Sequence, residues 1–124
     1  MYKLYTVCVN CWHKEEYCKC DKKRLESIDY NMISILSILN KKGYKTKWCC
    51  GGHTEKDFVY IYVKFQVEYN FLELPEGFIF KKGLLYYKNK KLKTKIERQK
   101  EINFKIKILK KWSKDIRKNE ENNL

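Results

Sequence analysis

The 124-residue chain has no alanine, a single proline (Pro75) and only three arginines, Arg24, Arg98 and Arg117. Each shortage excludes something. No apolar run of ~18 residues is present, so no helix of the sequence crosses a bilayer. Guanine edges in a DNA groove are read mainly by bidentate arginines, so three arginines argue against sequence-specific DNA reading. No helix-turn-helix, RNA-recognition or finger signature appears either. No charged-then-apolar leader precedes Cys8, which predicts a protein of the reducing cytoplasm rather than a secreted one.

What the chain has in excess is lysine. The formal net charge is +13, which calls for a polyanionic partner or a strongly solvated surface. Lys, Ile, Asn and Tyr dominate while Ala is missing, as AT-rich coding yields, so part of the lysine excess is compositional. Its distribution is informative nonetheless: residues 88–124 hold 14 Lys+Arg against 5 Asp+Glu, and residues 1–87 hold 14 against 10. Aromatic residues make up 15% of the chain, which marks a folded protein rather than a basic tail. The length fits one domain over 1–124 that benefits from a metal staple or a partner chain.

Hydrophobic periodicity predicts an α+β domain with an antiparallel sheet of about four to five strands. Lys3 to Val9 alternates as a short strand. Leu25, Ile28, Met32, Ile35, Leu36 and Leu39 recur at helical spacing, predicting a central helix over about 22–42, with Asp21 as N-cap and Gly43 as stop. Tyr44, Thr46 and Trp48 alternate up to Cys49, and Phe58 to Phe65 is dense in β-branched and aromatic residues, which predicts an antiparallel pair. Phe78–Phe80 and Leu84–Tyr87 flank Lys81-Lys82-Gly83 as a three-residue hairpin. Together these make residues 1–87 a cysteine-containing α+β core. From Leu92 a stripe of Leu92, Ile96, Ile102, Ile106, Leu109, Trp112 and Ile116, free of Gly and Pro, predicts a long basic helix over about 92–118 within the segment 88–118, and residues 119–124 are expected to fray.

All six cysteines fall in two short segments. Cys8 and Cys11, with Cys18 and Cys20, form a candidate structural zinc set, since thiolates two or three residues apart reach one tetrahedral ion from a tight turn. The spacing is unequal, with Lys19 alone between the second pair. Disulfides and reduced core thiols are the alternatives, and a reducing cytoplasm favours metal over disulfide.

The second segment is Cys49-Cys50-Gly51-Gly52-His53. Consecutive small residues between two strands expose backbone N–H groups as an anion nest, with Lys45, Lys47 and Lys56 around it. His53 can donate to a phosphate, ligate metal with Cys49 or Cys50, or cap the turn. A Cys50–His53 nucleophilic pair is a further reading. The run Leu39-Asn40, Gly43-Tyr44, Thr46 and Cys49 to His53, followed by Tyr60-Ile61, resembles a pattern in small uncharacterised proteins of phages and low-GC Gram-positive bacteria, in which a helix ending in Gly-Tyr feeds a strand and a C-x-G-H turn. More distantly it is similar to the T…S-x-C-S-G-R turn of the wybutosine-synthesising tRNA methyltransferase family. The resemblance covers about residues 25–63. It implies a nucleotide-handling turn, but His53 stands where that family has arginine, and no cofactor-binding pattern accompanies it, so the methyltransferase activity is not carried over.

Lys105, Lys107, Lys110, Lys111, Lys114, Arg117 and Lys118 crowd the last helix, with Phe104 and Trp112 as stacking candidates. Ile102, Leu109 and Ile116 recur every seventh residue with Trp112 between, which fits a seam with a second copy and hence a homo-oligomer. The expectation is a non-enzymatic protein that binds and sequesters an anionic nucleotide-type ligand through Lys47, Cys50, Gly51, Gly52, His53, Lys56, Lys110, Trp112, Lys114 and Arg117. The resemblance to phage-borne proteins implies a counter-defence role, as a sponge for a signalling nucleotide. The alternatives are a basic nucleic-acid-binding module or inhibitor of a nucleic-acid-guided immune complex, and a nucleotide- or RNA-modifying enzyme using Cys50 and His53.

Overall fold

Strand β4 (Val59–Phe65) alternates without a fault. Val59, Ile61, Val63 and Phe65 are buried, while Tyr60, Tyr62 and Lys64 are half-exposed, the period-two signature of a sheet with one face on the core. The computed structural model describes residues 3–119. In it β4 is an inner strand of a four-stranded antiparallel sheet ordered β3-β4-β6-β5, with β3 at Thr46–Cys50, β5 at Ile79–Lys81 and β6 at Leu84–Asn89. The order leaves β3 at one edge. Strands β5 and β6 pair Lys81 with Leu84, so their connection is the two residues Lys82 and Gly83 rather than the three expected. Both have positive φ, 53° and 78°, as a type I′ turn requires.

A second, two-stranded sheet precedes it. Strand β1 (Leu4–Cys8) pairs antiparallel with β2 (Leu25–Asp29), Leu4 opposite Asp29 and Cys8 opposite Leu25. The helix expected over 22–42 is therefore corrected: its first third is strand, and helix α1 covers only Ile33–Lys41, entered through a 3-10 turn at Tyr30–Met32. Leu25 and Ile28 satisfy helical spacing, but β1 has unpaired backbone groups and the cysteine loop returns the chain alongside it. Pairing with β1 satisfies those groups, and an isolated helical turn cannot. Asp21 lies in that loop and caps nothing.

Helix α2 (Lys95–Asp115) starts at a capping box. Thr94 Oγ1 accepts the Glu97 N–H and Glu97 Oε1 accepts the Thr94 N–H, both at 3.1 Å, a T-x-x-E signal legible in the sequence. Ile96, expected in the apolar stripe, is 71% exposed. Ile102, Leu109 and Trp112 are buried against Ile35, Leu36, Leu39 and the inner face of β4. Ile102, Leu109 and Trp112 thus close this chain's own core. The far end of α2 is held by Lys42, whose ammonium donates to the carbonyls of Ser113, Lys114 and Ile116 at 2.9, 2.5 and 2.6 Å, neutralising the exposed C-terminal carbonyls of the helix. Asn119, expected to fray, donates its N–H to the Lys42 carbonyl at 2.7 Å. Residues 120–124 of the expected frayed tail lie outside the described residues. No helix among the described residues is long and apolar enough to cross a membrane.

Candidate metal centre and adjoining cleft

The cysteine loop is closed by backbone bonds before any metal is considered. The Trp12 N–H donates to the Cys8 carbonyl at 2.6 Å, the Cys8 N–H to the His13 carbonyl at 2.9 Å, and the Val9 N–H to the Arg24 carbonyl at 2.8 Å. Trp12 takes φ 64° to close the turn. A 3-10 turn at Glu15–Tyr17 then brings Cys18 and Cys20 back against the end of β1. This turn absorbs the unequal spacing, so the four thiols of Cys8, Cys11, Cys18 and Cys20 converge with every Sγ within 4.8 Å of the others. Cys8 and Cys18 are buried, and all six cysteines are unbridged. The four clustered cysteines have the geometry to hold a metal ion.

Proximity splits their acidities. The Arg24 backbone N–H beside Cys8 Sγ outweighs burial and holds that thiol down at about 6. Cys20 is pushed up to about 12, chiefly by its thiol contact with Cys18. Four thiols at this range cannot all ionise unless a cation shares their charge.

The Cys49–His53 turn is built differently from the expected anion nest. The Gly51 N–H donates to Asp29 Oδ2 at 2.6 Å, and Asn31 Nδ2 donates to the Gly51 carbonyl at 3.0 Å. The nest already holds an anion, the chain's own Asp29. The two glycines are required for contact: a Cβ on Gly51 would lie 1.9 Å from Asn31 Oδ1, and one on Gly52, at φ +93°, would lie 2.9 Å from Ile102 Cγ1. Burial raises the Cys49 thiol to about 12 and pushes Cys50 upward too, the opposite of what a nucleophilic thiolate needs. Lys56 is exposed beyond the turn.

Lys45 and Lys47 instead line a cleft of about 880 Å³ between the two-stranded ribbon, α1 and the β3 edge. Arg24 and Lys41 join them, with Trp12 on the ribbon side and Trp48 on the sheet side. Asp29, Glu26, Asn40 and Thr46 also line it. Trp48 is 57% exposed, with the Lys47 ammonium 5.8 Å from its ring centre. Trp12, Arg24, Lys41 and Trp48 were not among the expected ligand residues. The signal that could have found one of them, Trp48, is the Lys47-Trp48 pair, a cation beside an aromatic.

Trp112, expected to stack on a ligand, is buried. Its indole N–H donates to the Glu73 carbonyl at 2.8 Å, and its ring meets Phe71 edge-on at 5.0 Å. Lys110, Lys114 and Arg117 are exposed on or just past α2, and none of them lines the cleft. The structure therefore does not bring the expected ligand residues to one place. Comparison with protein-family models, with curated proteins and with solved structures found no match.

Proposed function

We propose that this protein is a zinc-stapled basic protein that binds and sequesters an anionic nucleotide-type ligand in the cleft between the cysteine ribbon and the β3 edge. The observation that carries the reading is the juxtaposition there of Trp12 and Trp48 with Arg24, Lys41, Lys45 and Lys47. Aromatic faces take a base, and clustered cations take its phosphates. The volume is that of a small-molecule site. Glu26, on the same wall, offers acceptors for sugar hydroxyls or a base amino group.

Zinc is the metal that four thiolates favour: soft ligands, tetrahedral and closed. Zn–S bonds of about 2.3 Å place sulfurs roughly 3.8 Å apart, so sulfurs already within 4.8 Å close on the ion with small shifts. Its role is structural. A two-stranded ribbon is marginal alone, and this one carries Trp12 and Arg24 into the cleft wall. Unbridged thiols and a thiolate site fit a reducing cytoplasm. The counter-defence role that the resemblance implies is carried forward as the setting of this proposal.

The test is to incubate the purified protein with a nucleotide-rich extract, wash it, denature it by heat and analyse the released small molecules by mass spectrometry. An intact nucleotide released from wild type supports the reading; release of none overturns it.

A second reading, single-stranded nucleic-acid binding, rests on the outer sheet face. Tyr60, Tyr62 and Tyr86 lie together there, with ring centres 5.0 Å apart for Tyr60–Tyr62 and 6.2 Å for Tyr60–Tyr86, and the Lys88 ammonium lies 5.5 Å from the Tyr60 ring centre. It predicts retention of nucleic acid that is lost steeply with salt.

A further inference from the structure

A second group of ligand-type atoms lies at the turn itself. Asp29, Cys50 and His53 each offer one donor atom, a carboxylate oxygen, a thiol sulfur and an imidazole nitrogen, and all three lie within 4.8 Å of one another. They come from the end of β2, the end of β3 and the far side of the Gly51-Gly52 pair. The fold fixes each of them. Asp29 is anchored by the Gly51 N–H, the turn by Asn31, and Gly52 by the close approach of Ile102.

The chemistry of the group calls for a cation. Asp29 is 6% exposed, and beyond the Gly51 N–H its carboxylate takes no hydrogen bond from a described residue. A carboxylate oxygen, a thiol sulfur and an imidazole nitrogen that converge on one point are a donor set that a zinc-class cation takes. Glu55 Oε2 lies 4.0 Å from His53 Nδ1, a carboxylate beside the imidazole of the kind metal-bound histidines keep.

We propose that Asp29, Cys50 and His53 form a second metal site, separate from the four-cysteine centre, that takes a zinc-class divalent cation with three protein ligands and one position left for water or an exogenous anion. The mixed S, N, O set selects zinc-class ions over magnesium and calcium, which want oxygen alone. Three protein ligands are the mark of an open site, four cysteines of a closed one. The inference concerns metal loading and stands or falls independently of what fills the cleft.

The experiment is zinc content per chain, by elemental mass spectrometry, on full-length protein loaded with zinc and gel-filtered. Wild type is expected to hold about two ions, and Cys50→Ser/His53→Gln about one with unchanged circular dichroism, the four-cysteine site staying full. About one ion in wild type, or about two in the double variant, overturns the proposal. Should the double variant not fold, cobalt(II) titration of wild type decides. A second saturable equivalent with a weaker sulfur-to-cobalt charge-transfer band than the first, one thiolate against four, supports the site, and a single equivalent refutes it.

Discussion

Asp29 Oδ2 accepts the Gly51 N–H at 2.6 Å, and through this bond the end of the cysteine ribbon is tied to the turn that closes the β3 edge. Asn31, two residues on, holds the carbonyl of the same Gly51. The ribbon and the sheet are thereby fixed as the two walls of one cleft.

The Asn31–Gly51 contact gives a coupled stability prediction. A methyl group at Gly51 would fall 1.9 Å from Asn31 Oδ1, so Gly51→Ala must expel that side chain and lose its hydrogen bond, at about 1–3 kcal/mol. In an Asn31→Ala background the same change should cost about 1 kcal/mol less. Urea unfolding of the four members of the cycle checks this; strict additivity would mean that the contact is not the source of the loss.

Acid should empty the four-cysteine centre. Each ligating thiol gives up its proton to bind, so affinity falls as pH falls. Cys8, with its thiol held at about 6, joins the thiols needing deprotonation only below that value, so the dependence should steepen there. Zinc release followed with a colorimetric chelator across acid pH measures it. Retention without change well below Cys8's value would show that the ion sits elsewhere.

Disabling the proposed zinc site should also weaken the proposed ligand binding, because Trp12 lies within the cysteine loop and Arg24 just beyond it. Cys11→Ser with Cys20→Ser should leave the β3-β4-β6-β5 sheet intact by circular dichroism while nucleotide affinity drops at least tenfold, about 1.4 kcal/mol. Equilibrium dialysis against nucleotide gives the comparison.

Lys42 should matter to stability although it does not line the cleft. Its ammonium donates to the carbonyls of Ser113, Lys114 and Ile116, and Lys42→Met removes those charged hydrogen bonds at the end of α2, for a loss of about 2 kcal/mol. Thermal unfolding would register it as a lower midpoint, with α2 protons exchanging faster near Ser113.

Local patterns carried much of this fold. The alternation of Val59 to Phe65, the Gly43 stop and the grouping of four cysteines are each contained in a few consecutive residues. The α+β class and the four-cysteine cluster follow from them. The misreadings involve partners distant in sequence. Leu25 and Ile28 are three apart, one face of a helix but opposite faces of a strand, and in β2 Leu25 is exposed while Ile28 is buried; only the presence of β1 decides between the two. Trp112 and Trp48 both sit beside lysines; one fills the core against Phe71 because α2 packs on the sheet, and the other lies open on the edge strand β3. Asp29 has no local motif at all, and its place at the Cys50–His53 turn exists only once β2 and β3 meet. The helix expected from about 92 starts only at Lys95, because the local Thr94–Glu97 capping box, a T-x-x-E signal the apolar stripe did not include, sets its first turn.

The most direct test of the cleft is calorimetric titration with a panel of mononucleotides and cyclic dinucleotides, run on wild type, on Trp48→Ala/Lys47→Ala and on Lys110→Ala/Lys114→Ala. Base stacking is worth about 1–3 kcal/mol, so the cleft variant should bind about 5- to 150-fold more weakly, while the α2 variant stays within about threefold of wild type. Equal binding by wild type and the cleft variant, or a loss confined to the α2 variant, would contradict the account and move the site to the basic helix.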